Sequence, residues 1–351
     1  MRPFSHLLSQ KRVRKFLIPL LCALAIVIFL QLLLGSRPVV QPVTSFQALK
    51  SIPATAQQVR TGFYPVNVYQ LDLSSNTYYV DSYVWFRWRG AIDPIANLEF
   101  SNAVEEWGMT QQMGYEEPQK QPDGSLYQIM RVEGRFFQPF ALSKYPLDEQ
   151  RLGILIENSI HTAQELVYVA DTEDSGFADT LSIQGWNING WQVGSLLRQY
   201  DSQFGDQAAS TDPYSIARFE LLIDRPLSYF IWKLLLPLVI VLVSSWGALL
   251  LHPRYVDMRI EIPVTALLTT VFLQQSYSFA LPEVGYLVLL DKIYALAYLL
   301  IIVALMEAIV TADWIKGETT EDYQRVMQLD RPFLVGQFLI LVFGVLTLIF
   351  V

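Results

Sequence analysis

With 351 residues, 52% of them hydrophobic and 17% charged, and a positive mean hydropathy, the chain is too apolar for an ordinary soluble protein. It is long enough for a membrane part plus one domain outside it. A net charge of −8 excludes nucleic acid as a partner, because a phosphate backbone needs a basic face. Cys22 is the only cysteine, so neither an intrachain disulfide nor a thiolate metal site can form. His6, His161 and His252 share no spacing for metal ligation, and no cofactor is expected.

The first segment, 1–40, carries the run Lys11-Arg12-Val13-Arg14-Lys15 followed by nineteen largely apolar residues, 16–34. This is either a signal peptide or a signal anchor. Leu34-Gly35-Ser36-Arg37 is a poor cleavage site and the apolar run exceeds a signal core, so an anchor is expected, an extra N-terminal hydrophobic helix. Its basic flank stays cytoplasmic, which puts the next domain on the periplasmic or extracellular face of an inner (plasma) membrane.

Residues 41–225 contain no run long enough to cross a bilayer. Strand patterns recur at 66–73, 77–89, 127–137, 151–156, 166–169, 191–200 and 214–223, with Ser74-Ser75-Asn76 marking a turn between the first two. Repeated short strands punctuated by Gly, Pro and Asn predict an immunoglobulin-like β-sandwich. Residues 226–351 then hold four apolar spans, 227–251, 260–281, 287–310 and 333–351, each near the ~20 residues a crossing helix needs. The fold class is thus a β domain followed by a four-helix transmembrane bundle, a multi-pass protein. His252, Arg254, Arg259, Lys316 and Arg325 fall in the links assigned to the inside.

Between the strands at 127–137 and 151–156, the stretch FFQPFALSKYPLDEQRLGILIENS resembles the signature loop of pentameric ligand-gated ion channels, the Cys-loop receptor superfamily and its prokaryotic relatives. Gln138 and Leu152 stand where eukaryotic members have cysteines, as in bacterial members. The resemblance runs from about Gly62 to Val351. It includes the strand bearing Trp85 and Trp88, Arg225 ahead of the first channel helix, and the count of four helices.

Asp257, Glu261, Thr265, Leu268, Phe272, Gln275 and Phe279 recur at spacings of four, four, three, four, three and four, so all seven project from one helical face. A carboxylate facing lipid is costly, so Glu261 must face protein or water. Periodicity alone fits a pore face and a stripe packed on neighbouring helices equally. The resemblance implies the pore, in a homopentamer embedded in the bilayer. Asp257 and Glu261 then form acidic rings that select cations, while Leu268 and Phe272 form apolar rings that gate. Arg259, rotated ~200° from Asp257, is expected to point into the subunit and hold a headgroup or a cytoplasmic partner. Pro263 is expected near the helix start, and Pro237 at a mid-helix kink.

The resemblance also implies an Asp148–Arg225 coupling pair with Asp72 as a third member, and Pro282 and Tyr286 as receivers of the push. Glu307, deep in the third span, is expected to pair within the bundle. The corresponding agonist-site segments carry Trp107 and Tyr115, then Tyr200, Phe204 and Tyr214, with Trp85 on the complementary strand. Asn158-Ser159-Ile160-His161-Thr162 brings no aromatic where a cage is usual, which disfavours a quaternary amine. The stimulus is therefore an unknown small ligand, a proton or a divalent ion. The alternative is a non-conducting receptor or scaffold of the same fold. No nucleophile–base pair, metal set or phosphate loop points to an enzyme.

Overall fold

The computed structural model describes residues 46–203, 205, 212–315 and 317–350. The expected anchor, 1–40, and Phe204 lie outside the described residues. The chain divides into a sheet unit that ends at Pro226 and a helical unit from Leu227 onward, and the helical unit also takes in Leu142–Pro146.

The sheet unit holds two sheets. One orders β1 (Phe46–Ala48), β11 (Asn187–Arg198), β12 (Tyr214–Asp224), β9 (Glu149–Asn158) and β4 (Leu98–Phe100). The other orders β10 (Leu166–Ala170), β2 (Gln57–Asp72), β3 (Thr77–Trp88), β8 (Leu126–Phe137) and β5 (Ala103–Val104). Two short strands, β6 (Thr110–Met113) and β7 (Gln119–Lys120), also pair with β8. Alternation sets the faces: along β8, Gln128, Met130, Val132 and Phe136 are buried while Arg131, Glu133 and Phe137 are exposed. The sheets meet through the inward residues. Phe63 of β2 lies 5.7 Å from Phe219 of β12, and the Tyr78 hydroxyl of β3 donates to the Gly153 carbonyl of β9 at 2.7 Å. The turn after β2 is built as its residues require: Asp72 accepts from Ser74 and Ser75, and Asn76 takes a φ of 56°.

Four helices follow. Helix α1 (Tyr229–Leu250) opens in a π-helical segment, Tyr229–Leu235, and becomes α-helical at Leu236. Pro237 is the ninth of the 22 residues of α1 and the second of its α-helical part, so it falls where the helix changes from π to α. A proline denies Lys233 its usual donor, and the wider turn falls where the donor is missing. Helices α2 (Val256–Ser278), α3 (Leu289–Ala312) and α4 (Thr320–Phe350) complete the unit. By length and composition, α1, α3 and α4 are apolar enough to cross a membrane; α2 is the exception because of its polar residues.

Two expectations need correction. Pro263 is the eighth residue of α2, past the first turn, so the Arg259 carbonyl loses its helical donor. Helix α4 begins at Thr320, thirteen residues before the apolar span at 333, because Thr319 and Asp322 close a reciprocal cap. Arg325, expected in a link to the inside, is therefore helical.

Two buried carboxylates brace the outer faces of the second sheet. Asp81 accepts from Arg131 at 2.9 and 2.7 Å, which holds its carboxyl below the ordinary 3.8. Burial by itself would raise Asp171, but hydrogen bonds from Arg60 (2.8 Å) and Trp85 (3.1 Å) overcome it and the net direction is also down. Groups lowered on folding stabilise the fold above their unfolded value and lose that contribution as pH falls through the lowered value. Acid titration of tryptophan fluorescence should therefore show unfolding below pH 3.8 that is less pH-dependent in Asp81→Asn than in the parent.

Candidate functional site

Helix α2 has two faces. Arg259, Pro263, Ala266, Thr270 and Tyr277 are buried. At ~100° per residue they fall within an arc of ~60°. Asp257, Glu261, Thr265, Leu268, Phe272, Gln275 and Phe279 are all exposed, and they cluster on the opposite side. Leu268 lies ~180° from the centre of the buried arc. Met258, Val264 and Val271 flank the stripe and are exposed as well. The Thr265 hydroxyl donates to the Glu261 carbonyl at 2.9 Å, a common way for a hydroxyl to be satisfied on a helix surface.

The buried face is tied down by polar groups. Arg259 is 2% exposed; its Nη2 donates to Asp330 Oδ1 of α4 at 2.7 Å and to Glu307 Oε2 of α3 at 3.4 Å. The expected headgroup or cytoplasmic partner is thus replaced by two carboxylates of the same chain. Glu307 does pair within the bundle. Toward the other end of α2, the Tyr277 hydroxyl donates to Asp291 Oδ1, and Asp291 also accepts the Val288 amide at the start of α3. Tyr298 donates to Gln274 at 2.6 Å.

The loop between β8 and β9 is closed without cysteines. Gln150, 3% exposed, accepts the Ala141 amide and donates back to the Ala141 carbonyl, both at 3.0 Å, and donates to Asp148 Oδ2 at 2.6 Å. Arg225 Nε donates to the other oxygen of Asp148 at 2.9 Å, and its guanidinium lies 4.1 Å from the Trp186 ring centre. Asp72 does not join this pair; it is occupied by Ser74 and Ser75 of its own turn, whose hydrogen bonds lower its pKa. Within the helical unit, Leu142–Pro146 pack on the start of α3. The Leu289 amide donates to the Ser143 carbonyl at 3.0 Å and the Leu290 amide to the Tyr145 carbonyl at 3.1 Å. The Tyr145 ring stacks on Tyr277 of α2 at 6.3 Å. Pro282 and Tyr286 lie in the half-exposed link between α2 and α3. Tyr145, Trp186, Tyr277 and Asp291 are contributors that the motif did not single out.

No family model matches the chain. A proton-gated ion channel of Gloeobacter violaceus is 25% identical over 276 residues, covering 72% of this chain and 72% of that protein. The matched stretch is longer than either unit alone, so the similarity extends over sheets and helices. Gamma-aminobutyric acid receptor subunits alpha-2 of Rattus norvegicus and Homo sapiens are 26% identical over 192 residues, 53% of this chain and 40% of each subunit. These similarities support membership of the pentameric ligand-gated ion channel superfamily. It is a channel homologue and not an enzyme.

Against that superfamily, the segments expected to hold an agonist are divided between the two sheets. Tyr200 and Tyr214 follow and open strands of the first sheet and meet edge to face at 5.7 Å. Tyr200 donates to Glu157 at 2.5 Å and accepts from Arg198 at 3.0 Å; burial, then the Glu157 bond, push its hydroxyl pKa up. Trp85 lies on β3 of the second sheet, Trp107 in the turn between β5 and β6, and Tyr115 in the link between β6 and β7. The Trp85 indole is committed to Asp171 and closes over Gly62, where a Cβ would fall 2.1 Å from its ring. Trp107 is 87% exposed, and Tyr115 packs edge-on to Tyr127 at 6.4 Å. A single chain therefore gathers Tyr200 and Tyr214 and leaves Trp107 open.

Asp148 and Arg225 are nearly fully buried (side chains 1% and 10% exposed), so stranding either one is costly. Arg225→Ala should destabilise the fold by about 3–5 kcal/mol. Asp148→Asn combined with Arg225→Gln should recover part of that loss, read as thermal unfolding of the detergent-solubilised protein.

Proposed function

We propose that the chain is the subunit of a homopentameric, cation-selective ligand-gated channel whose pore is lined by Asp257, Glu261, Thr265, Leu268, Phe272, Gln275 and Phe279. One observation carries this reading: the whole stripe is exposed, directly opposite the buried face of the same helix. A polar stripe left bare in an otherwise apolar helical unit needs water or further copies of itself. Copies arranged around an axis supply both. The superfamily membership supports the general channel activity.

In this reading Asp257 and Glu261 concentrate cations at the inner mouth, and Leu268 and Phe272 close the pore by dewetting. Residues 41–225 form the sensing domain on the periplasmic or extracellular side, and 226–351 the channel domain in the inner (plasma) membrane. The basic run 11–15 and the anchor 1–40 support that orientation. Asp148 and Arg225 couple the two, together with Pro282 and Tyr286. The stimulus is a small ligand, a proton or a divalent ion, and the agonist-site aromatics offer Tyr200 and Tyr214 first. Because one relative is named as proton-gated, an acid step is the first stimulus to apply.

Recording in planar bilayers tests this. Glu261→Gln and Asp257→Asn should each move the reversal potential under a sodium chloride gradient toward that of a non-selective pore. An unchanged potential in both variants sinks the acidic-ring mechanism. Leu268→Ser puts a hydroxyl into the apolar ring and should open the channel without any stimulus; closed-state behaviour like the parent's would remove Leu268 as a gate.

A further inference from the structure

Asp257-Met258-Arg259-Ile260-Glu261 places a cation between the two proposed acidic rings. Two residues of helix rise only ~3 Å. A guanidinium turned toward the inner water would therefore sit well within a screening length, ~8 Å, of both carboxylates. It would offset one of the two negative charges that each subunit contributes. In the structure it is nowhere near the stripe: it lies on the buried face, against Glu307 and Asp330.

We infer that Glu307 of α3 and Asp330 of α4 are positioning residues for ion selectivity, holding the Arg259 guanidinium away from the inner mouth so that Asp257 and Glu261 act unopposed. The inference rests on the cation-selective pore proposed above. Its support is the way the group is held. Among the described residues, only Nη2 is engaged; Nε and Nη1 of Arg259 and Oε1 of Glu307 are buried without hydrogen-bond partners there. An ion pair kept for stability would use the two-pronged geometry an arginine offers and leave nothing orphaned. A buried charge cluster with unmatched donors stabilises poorly, and apolar residues would serve the packing as well. What this cluster does fix is direction. Asp330 is one of four buried residues on α4, with Val326, Gln337 and Leu341, so the least buried of the apolar helices contributes a charged side chain beneath the pore helix. Without both carboxylates the long arginine arm is free to extend toward inner water, as such side chains do near helix ends.

The test uses the full chain in planar bilayers, in a Leu268→Ser background so that current flows without an agonist, with reversal potentials read under a sodium chloride gradient. Asp330→Asn and Glu307→Gln should each lower the sodium-over-chloride permeability ratio, and the double variant should lower it severalfold. Adding Arg259→Gln to the double variant should return the ratio to that of the background, since no guanidinium remains to be released. An unchanged ratio in the double variant overturns the inference. So does a triple variant that stays low, which would mean that packing rather than charge is at work. Where the double variant does not assemble, the triple alone decides: a ratio equal to the background supports the inference, and a departure in either direction overturns it. A background that is not cation-selective, or that ignores Glu261→Gln, sinks the pore reading itself and is recognisable before any triad variant is made.

Discussion

A helix surrounded by lipid gains nothing by hiding its apolar side chains, because lipid is as apolar as they are. What holds helices together in that setting is close packing and the need of polar groups for partners. The helical unit here is organised by that need. Arg259 draws α3 and α4 onto the N-terminal half of α2, Asp291 and Gln274 fix the C-terminal half of α2 to α3, and the Trp246 indole donates to Gln337 at 2.6 Å to join α1 to α4. Each clamp consumes the polar residues on one side of a helix. The seven residues of the α2 stripe are what the clamps leave over, and their exposure follows from the burial of Arg259 and Tyr277 on the other side.

The same logic extends to the loop after β8. Its residues Leu142–Pro146 belong with the helices, where Tyr145 stacks on Tyr277 and two backbone carbonyls take the first amides of α3. Three residues further on, Asp148 sits in the sheet unit with Arg225 and Trp186. A short covalent tether thus joins an ion pair to an aromatic stack on the buried face of α2. Arg225 itself immediately precedes the residues that lead into α1. Both ends of the tether are buried, so neither can relax without disturbing a packed neighbour.

Much of this was legible in the sequence. The strands announced themselves through alternation, and the stripe on α2 through its spacing, because both are local periodicities. The Asp148–Arg225 pair was legible only through resemblance, since the partners are 77 positions apart. The partners of Arg259 were harder still, at 48 and 71 positions, and a lone arginine near a helix end reads most naturally as a contact to headgroups. The start of α4 was missed because hydropathy registers apolar residues, whereas a Thr–Asp cap is polar by nature. The signal was present as the Thr319-Thr320-Glu321-Asp322 spacing, which a search for caps rather than for apolar runs would have found. Trp186 and Tyr277 carried no pattern of their own, and only the fold brings them to their partners.

The amide of Gln150 has one more consequence. Eukaryotic relatives of the resembled family close the corresponding loop with a covalent bond that needs an oxidant to form and that reductants can cut. Here the closure is two hydrogen bonds between a buried side-chain amide and one backbone residue. It forms as soon as the strands pair, with no oxidising catalyst and no risk of mispairing. The loop's closure therefore contains no bond that reductants or oxidants act on.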